Sequence, residues 1–284
     1  MFIFQKVADL QAFLHAARAE KKSIGFVPTM GALHAGHLDL VQKAKSACDI
    51  AVVSIFVNPI QFNDRKDLEV YPRTPDQDVA ALISAGCDAL LMPPVDEIYP
   101  PGIDLTVQLD FGPLEKVMEG VFRPGHFKGM ATVVKRLLDI VEPDRLLMGQ
   151  KDFQQLSIVR DMLRQLDSPI RLVMCTTVRE PDGLAMSSRN TRLSPEMRRI
   201  SPVIYQVLRE AKSAFQEESA SKIEARAMQK LAAAGLQPEY FELVDGITLQ
   251  AVENWQDATF VVACTAAFAG AVRLIDNIVI KGSE

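Results

Sequence analysis

The sequence lacks the features of several protein classes. Its four cysteines form no C-x-x-C pair, so neither a zinc site nor a disulfide framework is expected. No basic segment precedes the apolar residues 1–4, as a secretory signal peptide would require. The apolar stretch at residues 260–272 is shorter than the ~20 residues of a membrane span. We therefore expect no membrane partner and a cytoplasmic location.

Positive charge is also scarce. The chain has 31 Lys and Arg against 36 Asp and Glu, which leaves a formal net charge of −5. No broad basic face is available to neutralise a nucleic-acid backbone, so no nucleic-acid partner is expected. With 48% hydrophobic residues in a chain of 284, the composition is that of a globular protein, and the length suits either one large α/β domain or a large domain plus a small one, of which we favour the second.

Strands and helices alternate along the first part of the chain, which predicts an α/β fold with a doubly wound, Rossmann-like parallel sheet. A first helix is predicted to be capped by Asp9. Apolar runs predict strands at residues 23–29, 50–57, 89–92, 145–148 and 170–178. Apolar periodicity and capping residues predict helices at residues 36–47, 75–85, 126–141 and 152–166.

The pattern changes after residue 178. A Pro-Asp-Gly turn at residues 181–183 is followed by Ser194-Pro195, which opens a helical stretch to about residue 217. A further helix and three apolar runs predict a smaller α+β domain. We therefore predict two domains, residues 1–178 for binding a nucleotide and a second substrate and residues 179–284 as a lid.

Four loops at strand ends carry unusual polar residues, and ligands of open parallel sheets bind at the carboxyl ends of the strands. After Thr29, His34 and His37 stand three residues apart at a helix start, where imidazoles and helix N–H groups can hold a phosphate. The pair is also compatible with ordinary helix-start residues. No H-E-x-x-H pattern accompanies it, which disfavours a metal site.

The second and third loops add amides and a cation. Asn58 and Gln61 follow a strand and suit a hydroxyl or a carboxylate, although Asn-Pro also starts ordinary turns. Lys151 offers a point charge for a phosphoryl oxygen, with Gln155 one helical turn further on. Alternatively, Asp152 is a plain helix cap and Lys151 a solvated charge.

The fourth loop places two hydroxyls beside a guanidinium. Ser187, Ser188 and Arg189 form a set that holds phosphate well, although a polar interdomain linker would have a similar composition. All four loops fall at one edge of one predicted sheet. That coincidence favours a single nucleotide site.

The four loops and two intervening segments form a longer motif set. Its members are Pro28-Thr29-Met30-Gly31-Ala32-Leu33-His34, Gly36-His37, Ser54-Ile55-Phe56-Val57-Asn58-Pro59, Gln61-Phe62, Tyr71-Pro72-Arg73-Thr74, Arg123-Pro124-Gly125-His126-Phe127, Gly149-Gln150-Lys151-Asp152, Gln154-Gln155 and Met186-Ser187-Ser188-Arg189-Asn190. The set resembles the pantothenate synthetase family, whose fold is related to that of class I aminoacyl-tRNA synthetases. The resemblance spans at least residues 28–190.

The resemblance implies an enzyme that converts ATP, pantoate and β-alanine to pantothenate, AMP and pyrophosphate through a pantoyl adenylate. It further implies Mg²⁺, a homodimer, and His34, His37, Lys151 and Arg189 as catalytic residues. The implied pantoate and β-alanine contacts are Gln61, Gln155 and Asn58. The implied ATP contacts are Met30, Gly31, Ala32, Leu33, His34, Ala35, Gly36, His37, Gly149, Gln150, Lys151, Asp152, Val178, Met186, Ser187, Ser188 and Arg189.

Three alternatives stay open at this point. Asp78 is either a Mg²⁺ ligand or a charge in the first turn of a helix. The chain is alternatively another adenylyltransferase or a tRNA synthetase fragment, although its net acidity disfavours tRNA. A regulatory module that senses ATP without turnover would leave Lys151 and the two histidines unexplained.

Overall fold

The structure, a computed structural model, describes residues 1–61 and 65–283. They form two compact units. The first comprises Met1–Phe111, Arg123–Gly149 and Ile158–Cys175, and the second comprises Gly112–Phe122, Gln150–Ser157 and Thr176–Glu284. The domain boundary after residue 178 stays a prediction. Within the described ranges, no helix has the length and apolarity needed to cross a bilayer.

The elements of both units follow in chain order. The α-helices are α1 (Val7–Ala19), α2 (Ala35–Ala47), α3 (Arg65–Val70), α4 (Pro75–Ser84), α5 (Val95–Ile98), α6 (Glu119–Phe122), α7 (His126–Val141), α8 (Phe153–Gln165), α9 (Pro195–Ile200), α10 (Val203–Ala214) and α11 (Ala220–Ala233). The strands are β1 (Phe2–Phe4), β2 (Ile24–Thr29), β3 (Ile50–Ile55), β4 (Ala89–Leu91), β5 (Arg145–Gly149), β6 (Arg171–Cys175), β7 (Gln237–Asp245), β8 (Val261–Ala269) and β9 (Val272–Lys281).

The first unit contains a parallel sheet with the strand order β1-β4-β3-β2-β5-β6. Strands β3 and β4 extend from β2 towards one edge, and β5 and β6 extend towards the other. The strand order therefore reverses between β2 and β5. The predicted α/β class and doubly wound parallel sheet are confirmed.

Both faces of this sheet are covered by helices. On one face, Val27 and Val53 pack in a core with Val41 of α2 and Leu82 of α4. Neighbouring strand residues such as Phe26 are also fully buried, and they point to the opposite face because side chains alternate along a strand. Right-handed crossovers put α1 and α7, which contact each other, on that second face.

The first helix begins earlier than predicted. It starts at Val7 with Lys6 as its N-cap residue, so Asp9 lies in its first turn and the predicted cap is wrong. The backbone N–H of Val7 instead donates to Glu97 Oε2 at 2.8 Å. Because Glu97 is 90 residues away along the chain, the sequence around Val7 does not indicate that the helix begins there. Strand β1, which pairs with β4 at the sheet edge, was also absent from the prediction.

Two strands end earlier than their apolar runs. Strand β3 ends at Ile55 rather than at residue 57, and β6 ends at Cys175 rather than at residue 178. Each ends where its neighbour ends, since Thr29 of β2 pairs with Ile55 and Gly149 of β5 pairs with Cys175. In both strands, the run of residues that predicts the strand continues beyond the last residue that pairs with the neighbouring strand.

The second unit contains the antiparallel sheet β7-β8-β9. Helices α10 and α11 pack against it, with Val207 and Leu231 in one core with Leu243 and Leu274. The predicted smaller α+β part is confirmed. The predicted helix from residue 194 to 217 is interrupted, because Pro202 has no N–H to continue α9.

Candidate active site

The loops after β2 and β3 and the chain after β5 all leave the same edge of the first unit's sheet. The strands are parallel and adjacent, and they end at Thr29, Ile55 and Gly149. The strand order reverses between β2 and β5, and this switch point is where ligands of such sheets bind. The predicted loops therefore start where a nucleotide would be expected.

The turn after β2 has a left-handed backbone. Gly31 has φ +79° and Ala32 has φ +50°. A Cβ on Gly31 would lie 3.0 Å from Ile55 Cγ2 and 3.1 Å from Asp78 Oδ2, so only glycine fits without strain. Ala32 holds a left-handed conformation that ordinary residues avoid at a cost of roughly 1–2 kcal/mol.

Asp78 of α4 fixes this turn. Its Oδ2 accepts from the backbone N–H of Ala32 at 2.9 Å, and its Oδ1 accepts from that of Leu33 at 2.7 Å. Thr74 Oγ1 also donates to Oδ1, at 3.1 Å. The side chain is buried, and hydrogen bonds to a carboxylate are stronger than neutral ones. Asp78 therefore compensates the strained backbone of the turn.

His34 and His37 form a reciprocal cap at the start of α2. The N–H of Gly36 donates to His34 Nδ1 at 3.2 Å, and the N–H of His34 donates to His37 Nδ1 at 3.3 Å. The ring centroids lie 4.0 Å apart. An Nδ1 that accepts a hydrogen bond carries no proton, so each neutral ring has its proton on Nε2. Each ring can then donate that proton to an anion at the helix start.

Gln61 lies beside this loop. Its Nε2 is 3.0 Å from Met30 Sδ, and its Oε1 accepts from Asn58 Nδ2 at 3.1 Å. The Asn58 amide also donates to the carbonyl of Gly129 at 3.2 Å and accepts from Tyr99 Oη at 2.9 Å. The structure thus brings Met30, Asn58 and Gln61 together, while Phe62 of the same motif lies outside the described residues.

Helix α7 contacts the turn that carries Gln61. The sequence alone had indicated no role for the residues of this helix. His126 Nδ1 lies 3.0 Å from the carbonyl oxygen of Gln61. A Cβ on Gly129 would come within 2.5 Å of the carbonyl oxygen of Ile60, so α7 approaches this turn closely. The Pro-Gly-His motif at residues 124–126 belongs to the family resemblance. Nothing in the sequence around it indicates that His126 contacts Gln61.

The second unit carries the predicted cation and its neighbours. A 3-10 turn spans Gln150–Asp152 and leads into α8. Lys151 Nζ lies 3.8 Å from Asp152 Oδ2, and the Lys151 side chain is 16% exposed, so the ammonium is partly shielded from water. Gln155 is half-buried on the first turn of α8.

A hairpin carries the remaining predicted residues of this unit. The N–H of Met186 donates to the carbonyl of Val178 at 3.0 Å. The backbones of Arg179 and Ala185 form an isolated antiparallel β-bridge. Ser187 caps the 3-10 turn Ser188–Arg192, because its Oγ accepts from the N–H of Arg189 at 3.3 Å. Residues 186–189 are half-buried. Ser187, Ser188 and Arg189 are thus consecutive at the start of one short turn.

Comparison with known proteins assigns the chain to a family. The family model for pantoate–β-alanine ligase matches residues 2–279. A pantothenate synthetase from Porphyromonas gingivalis is 50% identical over 279 residues, which cover 98% of this chain and 99% of that protein. One from Bacteroides thetaiotaomicron is 48% identical over 282 residues, with 99% of each chain covered.

Solved structures give the same assignment. Pantothenate synthetase from Thermus thermophilus has a TM-score of 0.92 and 41% identity, and the match covers 99% of this chain and 100% of that one. Pantoate–β-alanine ligase from Francisella tularensis, complexed with βγ-ATP and β-alanine, has a TM-score of 0.83 and 35% identity, with 99% and 98% covered. The chain belongs to the pantoate–β-alanine ligase family.

Proposed function

We propose that this chain condenses pantoate with β-alanine at the expense of ATP. The observation that carries the proposal is the match over nearly the whole chain to proteins named pantothenate synthetase. The Francisella tularensis relative was solved with βγ-ATP and β-alanine, which supports both as substrates here. The histidine pair at the start of α2 and the strained turn before it agree with a phosphate site.

The first half-reaction joins pantoate to AMP. A pantoate carboxylate oxygen attacks the α-phosphorus of ATP, the bond from that phosphorus to the bridging oxygen breaks, and pyrophosphate leaves with the electron pair. The Nε2–H groups of His34 and His37 donate to the phosphoryl oxygens as charge develops on them. Lys151 and Arg189, helped by Ser187 and Ser188, hold the polyphosphate.

The second half-reaction transfers the acyl group. The neutral amine of β-alanine attacks the acyl carbon of pantoyl adenylate, the bond to the phosphate oxygen breaks, and AMP leaves while the new ammonium group loses a proton. Gln61 and Gln155 bind pantoate, and Gln61 also lies near β-alanine. Neutral amides suit an acceptor with hydroxyls and one carboxylate. Asn58 acts through Gln61, to which it is hydrogen-bonded.

We further propose that Mg²⁺ enters with ATP. Magnesium is usually held by substrate phosphates, water and few protein groups. Among residues 1–61 and 65–283, no group of three His, Cys, Asp or Glu side chains is placed to hold a metal ion, which fits that mode. Asp78 as a Mg²⁺ ligand stays a prediction, and its hydrogen bonds to Ala32 and Leu33 favour the positioning role.

The homodimer and the cytoplasmic location are proposals from the family resemblance. One structural feature supports the dimer. Residues 105–109 belong to no helix or strand and alternate in burial, with Val107 buried and Thr106 and Gln108 exposed. In the part of the chain that the structure describes, no strand pairs with this segment. Burial that alternates residue by residue is typical of a β-strand, and a two-fold axis could pair the segment with its copy in a second chain.

The function is tested by pyrophosphate exchange. With radiolabelled pyrophosphate, we expect label to enter ATP only when pantoate is present, because pantoate is the nucleophile of the reversible first step. Chelation of Mg²⁺ with EDTA should abolish the exchange, and excess Mg²⁺ should restore it. Exchange that proceeds equally without pantoate would contradict the acyl-adenylate route.

His37→Ala tests the imidazole donors. We expect the single-turnover rate of adenylate formation to fall ~10²-fold or more, as for other donors to a transition state. His15→Ala, which removes an exposed imidazole from α1, is the matched control and should keep the wild-type rate. A normal rate for the His37 variant in rapid quench would remove this residue from the mechanism.

Asp78→Asn separates the positioning role from the metal role. An amide NH₂ cannot accept from Ala32 or Leu33, so one backbone N–H loses its acceptor, a loss worth ~1–3 kcal/mol. We expect kcat/KM for ATP to fall about tenfold or more, whatever the Mg²⁺ concentration. Asp9→Asn, an exposed carboxylate in the first turn of α1, should have no effect. Recovery of the Asp78 variant at high Mg²⁺ would indicate a metal ligand instead.

Gln108→Pro tests the dimer. Proline removes a backbone N–H from the segment 105–109, so strand pairing between copies should be lost. In sedimentation velocity we expect a dimer for the wild type and for Gln108→Ala, and a monomer with an unchanged circular dichroism spectrum for Gln108→Pro. A monomeric wild type would contradict the dimer, and a dimeric proline variant would contradict the role of this segment.

A further inference from the structure

The side chain of Asn277, on β9, holds the turn that carries Lys151. Its Nδ2 donates to the carbonyl oxygen of Gln150 at 2.9 Å and to that of Lys151 at 2.8 Å. Its Oδ1 accepts from Gln150 Nε2 at 3.0 Å. Asn277 is 2% exposed; both of its bonds to Gln150 are buried, and the bond to Lys151 is partly buried. One amide thus satisfies two backbone carbonyls and one side chain of a single turn.

The backbone of Asn277 is itself fixed on both sides. Its N–H donates to Asp276 Oδ1 at 2.8 Å, and its carbonyl accepts from Arg179 Nη2 at 3.2 Å. Arg179 in turn binds Asp276 through two bonds, Nη1 to Oδ2 at 2.6 Å and Nη2 to Oδ1 at 3.0 Å. The Arg179 guanidinium carbon lies 3.8 Å from the centroid of the Tyr205 ring, which keeps the guanidinium in place.

Stability is a poor reason for this arrangement. The side chain of Asp276 is 3% exposed and that of Arg179 is 16% exposed, and the desolvation of a buried ion pair offsets most of its attraction. Burial raises the pKa of the Asp276 carboxyl, although Arg179 opposes that rise. Replacing a buried ion pair with apolar residues of similar volume is often neutral or stabilising. An apolar pair could not bond to the backbone N–H and carbonyl of Asn277. It therefore could not hold Asn277 in one orientation.

We propose that Asn277 is a positioning residue that sets the location of the Lys151 ammonium, with Asp276 and Arg179 holding Asn277. The inference rests on the proposed function, in which Lys151 contacts the polyphosphate of ATP. Lys151 has a long, flexible side chain, so its reach is defined only if its backbone is defined. A displacement of about 1 Å at a catalytic group can lower a rate by ~10²-fold.

The test is a double-mutant cycle between Asn277→Ala and Lys151→Ala. Asn277→Ala leaves one buried and one partly buried carbonyl without their donor, and we expect kcat/KM for ATP in pantoate-dependent exchange to fall about tenfold or more. In the Lys151→Ala background, the second substitution should cause no further fall, because Asn277 acts through Lys151. Additive losses would overturn the proposal.

The matched control is Thr265→Val. Thr265 is buried on β8 opposite Asp276, and its Oγ1 donates to the carbonyl of Tyr240 at 2.8 Å. This variant also removes a side-chain bond to a backbone carbonyl in the same sheet, but the carbonyl belongs to Tyr240 and not to the turn that carries Lys151. We expect it to lower Tm to a similar degree and to keep wild-type exchange. If Asn277→Ala lowers Tm and keeps wild-type exchange as well, the positioning role is wrong.

Titration calorimetry with ATP separates this proposal from the proposed function. A wild-type chain that binds ATP but shows no exchange would overturn the proposed function alone. The role of Asn277 would then be tested by measuring the Kd for ATP in the double-mutant cycle of Asn277→Ala and Lys151→Ala. Additive losses of ATP affinity in that cycle would overturn the role of Asn277. A wild-type chain that does not bind ATP would overturn both.

Discussion

The parallel pairing of β2 with β3 on one side and β5 on the other is the constraint on which the first unit depends. Parallel ladders bring the carboxyl ends of all three strands to one edge, so every loop that leaves them starts there. In open parallel sheets, the point where the strand order reverses is where a crevice for ligands forms between loops that run in opposite directions. Fixing the ladder thus fixes where the loops of the candidate site begin, before any polar side chain is considered.

The sequence predicted the parts of the fold that depend on local patterns. Alternating apolar runs and helix starts gave the sheet class, and the bounds predicted for α7 agree with the structure. The errors lie where distant residues decide. Glu97 supplies the hydrogen bond at the start of α1, and the end of β2 decides where β3 stops pairing. The residues near the start of α1 and near the end of β3 indicate neither effect.

The candidate site divides in the same way. Loop positions and residue types, such as His34 and His37 at a helix start, could be predicted, and the motif set led to the family. The groups that hold those loops could not. His126 reaches Gln61 over 65 residues, and Asn277 reaches Lys151 over 126 residues. Asp78 was singled out as a possible metal ligand, yet it bonds to two backbone N–H groups of the turn after β2.

These supporting groups share a chemical logic. Asp78, His126 and Asn277 are buried polar residues, and each of them bonds to the backbone of a loop. Apolar packing is not directional, whereas a buried hydrogen bond is lost with a small displacement and leaves an unsatisfied group worth ~1–3 kcal/mol. Such bonds therefore define loop positions more sharply than packing does. A site that stabilises developing charge needs that definition, because its donors must be in place before the reaction begins.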